Sequence, residues 1–262
     1  MRIGTDLLAN VRIVLVAPTH PGNIGAAARA MRTMGLADLR LVRPRRFPSA
    51  EATERAAGAF EVLDRARVDD DLSEALADCG WAVAATARPR RLEWVQLDPR
   101  EAGRELATRA ASGPVAAVFG RESAGLTNDE IDRCQAVLRI PTAPDFRSLN
   151  IAAAVQIAAY EVARAAAALA GAAEAGEEGT GAQEPLPEAV TSADLERLFA
   201  HFETALADIG YLDPERPRLL MRRLRRLLVR ANIDRAELNI LRGILTAAQE
   251  AAGAREPPRS RS

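Results

Sequence analysis

At 262 residues the chain is long enough for one substantial core and a smaller appendage, since single cores stop growing at about 250 residues. A composition of 48% hydrophobic and 27% charged residues, with a mean hydropathy of −0.10, excludes wholesale disorder and predicts a large buried core. The formal charge of −1 gives no global attraction to nucleic acid, yet all 35 basic residues are arginine, a side chain that pairs with phosphates and stacks on bases.

Residues 1–170 alternate short apolar runs with helical periods, the pattern of a parallel α/β sheet. The predicted strands are Val11 to Val16, Leu39 to Val42, Trp81 to Thr86, Pro114 to Phe119 and Val137 to Ile140. An amphipathic helix is expected over Asn23 to Met34, stopped by Gly35 as its C′ residue. Ser148 to Leu169 reads as a long Ala-rich helix, with Ser148-Leu149-Asn150 providing short polar residues for its N-cap. Residues 171–190 follow as a flexible linker, whose stretch 171–188 holds five acids and no base among Gly and Pro.

Residues 191–252 predict a small helical extension made of Ser192 to Asp208, Pro217 to Arg230 and Asp234 to Glu250, with Ser192 and Asp234 as N-caps. In the middle helix Leu220, Leu224, Leu227 and Leu228 form one stripe. From Arg216 to Arg235 there are eight arginines and one acid, Asp234. Such a run is either a solvated face, a membrane-surface helix or a phosphate-binding face. Residues 253–262 are expected to be a disordered tail.

Cys79 and Cys134 lie far apart in apolar stretches, so both are expected to be buried free thiols, and no metal-ligand cluster is readable. There is no run of about 18 consecutive apolar residues and no A-x-A cleavage pattern, so a cytoplasmic chain without a membrane partner is expected.

Three segments carry chemistry. Thr19-His20-Pro21-Gly22-Asn23-Ile24-Gly25 joins a strand to a helix; it fits neither the dinucleotide nor the P-loop spacing, but offers free backbone N–H groups at a helix start, with Arg29 about two turns on near the same face. Phe119-Gly120-Arg121-Glu122-Ser123-Ala124-Gly125-Leu126 follows a strand at the sheet edge where open α/β folds bind ligands, although Arg121 and Glu122 can simply pair with each other. Ile140-Pro141 through Phe146-Arg147-Ser148-Leu149-Asn150 leads from the last strand to the long helix, as a clamp or a connector.

In this order and spacing the three segments resemble the motifs of the SPOUT RNA methyltransferases. Together with Asp98 to Glu101, MRRLRRLLVR and ELNILRGIL, they resemble the tRNA (cytidine/uridine-32-2′-O)-methyltransferases over roughly residues 11–250. The resemblance implies an α/β fold, a parallel sheet closed by a C-terminal deep trefoil knot, a rare exception to the rule against knotting. It implies S-adenosylmethionine as cofactor and assigns its contacts to Ala85, Thr86, Ala87, Gly120, Ile140, Arg147, Ser148 and Leu149. Relatives have more Gly, Thr or Ser where this chain reads Ala84-Ala85-Thr86-Ala87, so side-chain hydroxyl contacts at 85 and 87 are absent here.

The implied reaction is methyl transfer to a ribose 2′-oxygen, without a metal, in a homodimer that shares its sites. Arg29 is implied to act on the hydroxyl, with Ser148 and Asn150 near the reacting centre. Asn23, Arg90, Arg121, Arg222, Arg223 and Arg226 are assigned to tRNA, and Tyr160 with the Ala-rich helix face to the dimer interface. A guanidinium with a pKa above about 12 is a poor base, so Arg29 is read as stabilising charge on the oxygen. Glu122 stays an outside candidate, and His20 reads as structural. Two alternatives remain open: a sister enzyme acting on another tRNA or rRNA ribose, and a non-catalytic RNA-binding homologue.

Overall fold

The computed structural model describes residues 7–87, 94–143, 145, 148–174, 190–213, 215 and 219–253. The chain divides into two compact units, Met1–Leu186 and Pro187–Ser262.

The first unit is a parallel sheet clothed on both faces. In chain order it contains β1 (Val11–Val16), α1 (Pro21–Thr33), β2 (Asp38–Val42), α2 (Ala50–Ala56), α3 (Phe60–Asp64), β3 (Arg67–Asp69), α4 (Leu72–Leu76), β4 (Trp81–Ala85), β5 (Gln96–Leu97), α5 (Pro99–Arg109), β6 (Val115–Phe119), α6 (Asn128–Ile131), β7 (Ala136–Leu138) and α7 (Ile151–Glu174). The seven strands lie in the order β3-β2-β1-β6-β4-β7-β5, every pair parallel. Alternation along β1 sends Val11, Ile13 and Leu15 to one face with α1, α2, α5 and α7, and Val14 and Val16 to the other with α4 and α6. Both faces are covered, which is why β4 and β6 are continuous apolar runs and β1 and β2 are interrupted within their apolar stretches only by Arg12 and Arg40.

β7 enters between β4 and β5, two strands already joined by residues 86–95. A late strand set between two strands consecutive in the chain is the strand order that a trefoil knot requires.

The five expected strands form, with ends shifted by a residue or two. The last is shorter than expected, ending at Leu138, because β5 is only two residues long and pairs no further. β3 and β5 escaped the sequence reading, being too short to show a period. α1 starts at Pro21, whose missing N–H and fixed φ suit the first helical position. It ends at Gly35 with φ +82, and Leu36 folds back so that its N–H donates to the Met31 carbonyl at 3.0 Å.

α7 begins at Ile151, and Asn150 is its cap, its Oδ1 accepting from the Ala152 N–H at 2.9 Å. The helix continues to Glu174, into the first residues expected to be linker; 175–189 and 254–262 lie outside the described residues. By length and composition Ile151–Ala173 is apolar enough to cross a membrane, although Gln156, Glu161 and Arg164 interrupt the apolar run. In the fold it packs along α5 and α1 through Val155, Ala159 and Val162. Cys79 and Cys134 are buried free thiols; burial pushes Cys79 up to about 12 and Cys134 higher still.

The second unit consists of α8 (Ser192–Asp208), α9 (Leu220–Ala231) and α10 (Arg235–Gly253) around Leu195, Leu198, Phe199, Leu228, Val229, Leu238 and Leu245. The cap of α8 is Thr191, not Ser192. Thr191 and Asp194 form a capping box, and Asp194 also takes Arg197 and Arg235. Burial works against the Asp194 charge, but Arg235 and Thr191 hold the carboxyl well below the usual range. Asp234 does cap α10, its Oδ1 accepting from the Glu237 N–H at 2.8 Å. Residues 216–218 lie outside the described residues, and the described helix starts at Leu220.

Candidate active site

The carboxyl ends of β1, β4, β6 and β7 share one edge of the sheet, and the three motif segments are the loops that leave it. The turn after β6 is built residue by residue. A Cβ on Gly120 would stand 2.2 Å from the Gly125 carbonyl carbon, so only glycine lets the turn fold back this closely. Arg121 and Gly125 exchange backbone hydrogen bonds at 3.2 and 2.8 Å, and Leu126 anchors the far side in the core. Thr127 and Glu130 cap α6 with a capping box. The Arg121 guanidinium forks onto Glu130 at 3.0 and 2.9 Å.

Arg121 and Glu122 therefore do not pair with each other. Glu122 crosses instead to the loop after β1. Its carboxylate accepts from the Thr19 hydroxyl at 2.8 Å, the Thr19 N–H at 3.1 Å, the His20 N–H at 3.3 Å and Asn23 Nδ2 at 3.0 Å. It takes N–H groups just ahead of α1, at the helix end that attracts negative charge. Burial works against this charge, but the hydrogen bonds from Asn23 and Thr19 outweigh it and bring the carboxyl down to about 2. A carboxylate so held is an anchor and a poor proton acceptor.

Asn23 passes the connection on. Its Oδ1 accepts from Asn150 Nδ2 at 2.9 Å, and Asn150 in turn caps α7. Glu122, Asn23 and Asn150, one from each motif segment, thus form a single hydrogen-bonded chain across residues distant in sequence. Gly25 serves packing, a role its spacing did not indicate. A Cβ there would stand 2.0 Å from the Ala52 carbonyl oxygen, so this glycine lets α1 and α2 pack closely.

Beside this chain opens a solvent-open cleft of about 170 Å³. Of the residues expected at the cofactor, Ala85, Thr86, Ala87, Ile140, Ser148 and Leu149 line it. Gly120 does not, and its missing side chain is explained by the turn; Arg147 lies outside the described residues. Arg121, Glu122, Ser123, Ala124, Gly125, Leu138, Thr142 and Ala154 complete the wall. Ser123, Ala124 and Thr142 were not singled out from sequence, since small residues in a turn have no period of their own. The small residues at 85, 87, 124 and 125 leave backbone groups reachable, and Leu138, Ile140 and Leu149 supply an apolar floor. An adenosyl group fits this donor set.

Arg29 is exposed on α1 and does not line the cleft. It leaves the helix about 120° round from Asn23, because six residues make about 1.7 turns. Its side chain has no hydrogen bond or ion pair among the described residues. Arg90 lies outside the described residues. His20 contributes its backbone N–H to Glu122, and its ring is exposed.

In the second unit Arg223 is exposed, whereas Arg222 and Arg226 are half-buried and each already has an interaction. Arg225 is structural: it pairs with Glu196 on α8 and stacks over Phe199 at 4.2 Å. Leu227, expected on the buried stripe, is 53% exposed, because α9 turns Leu228 and Val229 to the core. Among the described residues no group of three or more His, Cys, Asp or Glu side chains is placed to hold a metal.

Sheet order, edge cleft and interlocked motif loops are those of a methylase domain, and residues 10–160 match the SpoU rRNA Methylase family. Residues 193–257 match the family described as tRNA methyltransferase TrmJ, C-terminal domain. The chain is 51% identical over 247 residues to the tRNA (cytidine/uridine/adenosine-2′-O-)-methyltransferase TrmJ of Pseudomonas aeruginosa, covering 94% of this chain and 96% of that one. It is 46% identical over 244 residues to the tRNA (cytidine/uridine-2′-O-)-methyltransferase TrmJ of Salmonella typhimurium, covering 93% and 98%. The crystal structure of TrmJ from Z. mobilis ZM4 superposes with a TM-score of 0.76 at 36% identity, covering 91% of this chain and 99% of that one. This chain belongs to the TrmJ family of tRNA 2′-O-methyltransferases, within the SPOUT class.

Proposed function

We propose that this protein methylates a ribose 2′-oxygen of tRNA with S-adenosylmethionine as donor, and that its target is the cytidine or uridine at position 32 of the anticodon loop. The observation that carries the reading is the Glu122–Asn23–Asn150 chain standing beside a cleft lined by Ala85, Thr86, Ala87, Ile140, Ser148 and Leu149. When bound, the cofactor supplies an electrophilic methyl group on a sulfonium centre. The protein has to hold a 2′-oxygen in line with it and dispose of one proton.

Asn150, immobilised by Asn23 and by its cap bond, presents a rigid frame for the ribose, and Ser148 stands exposed on the cleft wall beside it. Arg29 stabilises negative charge developing on the 2′-oxygen, while the proton leaves through a phosphate or water. Because Arg29 does not line the cleft of its own chain, a homodimer in which each copy serves the other's cleft is the working assembly. The outward side of α7, with Tyr160 52% and Leu169 38% exposed, is its interface. The first unit is the catalytic domain and the second holds tRNA in the cytoplasm, with Arg223 the most accessible of its expected contacts. Arg121 serves tRNA less than expected, since Glu130 already occupies its fork.

Nucleoside mass spectrometry of tRNA from a deletion strain tests the proposal: 2′-O-methylation at position 32 is expected to disappear and to return with the purified protein and donor. Unchanged modification in that strain would sink it. A second reading, in which adenosine is also accepted, is favoured by the name of the 51% identical Pseudomonas relative. The same assay on tRNAs carrying each base separates the two.

A further inference from the structure

The carboxyl edge of the sheet carries a second cationic feature, outside all three motif segments. β2 ends at Val42 and runs into Arg43-Pro44-Arg45-Arg46. Arg43, Arg45 and Arg46 are exposed, and none has a side-chain hydrogen bond or ion pair among the described residues. Elsewhere in this unit Arg12, Arg40 and Arg121 are each matched by an acid.

The loop is firmly seated. The Ala17 N–H donates to the Val42 carbonyl at 2.7 Å, the Arg43 N–H to the Asp69 carbonyl at 3.1 Å, and the Arg45 N–H to the Pro18 carbonyl at 3.1 Å. Arg43 has φ +45, a left-handed conformation disfavoured for a residue with a Cβ and maintained here by its neighbours. Pro18 directly precedes Thr19, which holds Glu122, so one backbone hydrogen bond links the arginine loop to the turn that organises the active site.

All strands are parallel, so this loop and the cleft face the same way. β2 lies two strands from β6, which at about 4.8 Å per strand puts the loop about 10 Å along the edge from the Arg121–Gly125 turn. A polyanion whose ribose sits in the cleft reaches that far within a few nucleotides. Planar guanidinium forks match phosphate oxygens two by two, and among the described residues no acid pairs with these three. Phe47, which directly follows the loop, packs inward on the core, so the segment 43–47 presents charge but no apolar anchor of the kind a membrane surface needs.

We infer that Arg43, Arg45 and Arg46 form a phosphate-binding rim that grips the RNA backbone next to the methylated nucleotide. This rests on the reading of the chain as a tRNA methyltransferase. The test measures binding of unmodified tRNA to the full-length protein as a function of salt, for the wild type and for the triple variant Arg43→Gln, Arg45→Gln, Arg46→Gln. Removing one arginine–phosphate pair flattens the slope of log affinity against log salt by about 0.7 to 0.9, so a decrease of about two to three is expected, with at least about a tenfold drop in affinity at low salt. S-adenosylmethionine affinity is expected to stay equal by calorimetry, and the triple Lys variant to retain most of the slope.

The control Arg65→Gln, Arg67→Gln, around the opposite end of β3, is expected to leave the slope unchanged. If the triple variant does not fold, the single variants Arg45→Gln and Arg46→Gln are each expected to flatten the slope by the share of one phosphate. An unchanged slope in folded variants, or an equal decrease in the control, overturns the rim. So does wild-type binding to anionic vesicles that the variant loses while its tRNA slope stays intact. Failure of the wild type to methylate tRNA in the same preparation counts against the proposed activity, and is read separately from the slope.

Discussion

Beneath α4 the sheet buries a row of charge, whereas its carboxyl edge holds charge out in solvent. In the buried row the Arg12 side chain is 5% exposed and donates to Asp38 at 2.7 Å, to Asp78 and to the Ala75 carbonyl at 2.8 Å, while Arg40 meets Asp69 at 2.9 Å. Burial disfavours the Arg12 charge, but Asp78 and Asp38 more than restore it and hold the guanidinium above its ordinary value. Burial raises Asp69 despite Arg40. At the carboxyl edge Arg43, Arg45 and Arg46 have no such partners among the described residues, and neither has Arg29 further along α1. One residue type thus builds the fold where acids close round it and stays in solvent where they do not.

The largest expected effect lies in the buried row. Arg12→Met takes the paired cation from Asp78, leaves Asp38 only its longer contact with Arg40 at 3.7 Å, and is expected to lower unfolding free energy by about 3 kcal/mol in denaturant titration. A decrease under about 1 kcal/mol would mean that the row contributes little to stability. Among the unpaired arginines Arg29→Ala is expected to leave stability and cofactor affinity within a few-fold of wild type while cutting turnover by about 10² to 10³, as removal of a charge-stabilising donor does. Loss of cofactor binding in that variant removes Arg29 from the role proposed for it.

A smaller effect is expected from removing residues 187–262, the second compact unit. The remaining core should fold and bind cofactor but hold tRNA more weakly, with a salt slope flatter by about one or two, since few arginines of α9 remain free for phosphate. Equal methylation by the truncated and full chains would reduce α9 to a packed helix.

The smallest effect is on pH dependence. The Glu122 carboxyl is depressed in the folded state, so its contribution is full above the unfolded value of about 4.3 and fades as pH falls from there through about 2. Glu122→Gln should therefore make acid unfolding less steep in that window and leave stability at pH 7 to 8 no more pH-dependent than before. An identical acid transition in both proteins would show that the carboxylate is not held as the geometry requires.

Much of the site was legible because its parts are local. Glycine, proline and small polar residues after apolar runs mark turns at strand ends, and six of the residues that the family resemblance assigned to the cofactor lie on the cleft wall. What is paired with what was not legible. Arg121 and Glu122 are adjacent in sequence and take separate partners, Glu130 and the Thr19–Asn23 turn, because a tight turn aims neighbouring side chains in different directions. Arg12 and Arg40 interrupt apolar strands, a signal that passed unread, since an isolated charge in a run says nothing of the acid that will face it.

The sequence by itself determined the alternation of strands and helices, the helix stop at Gly35, the cap at Asp234 and the edge on which the motifs meet, because each depends on neighbours within a few residues. Only the tertiary structure decided that Gly25 serves helix packing, that Leu227 faces solvent, that Glu122, Asn23 and Asn150 form one chain, and which arginines are spent on acids. Those outcomes depend on groups brought together by strand order across the sheet, and strand order is set by how whole elements cover one another's apolar faces.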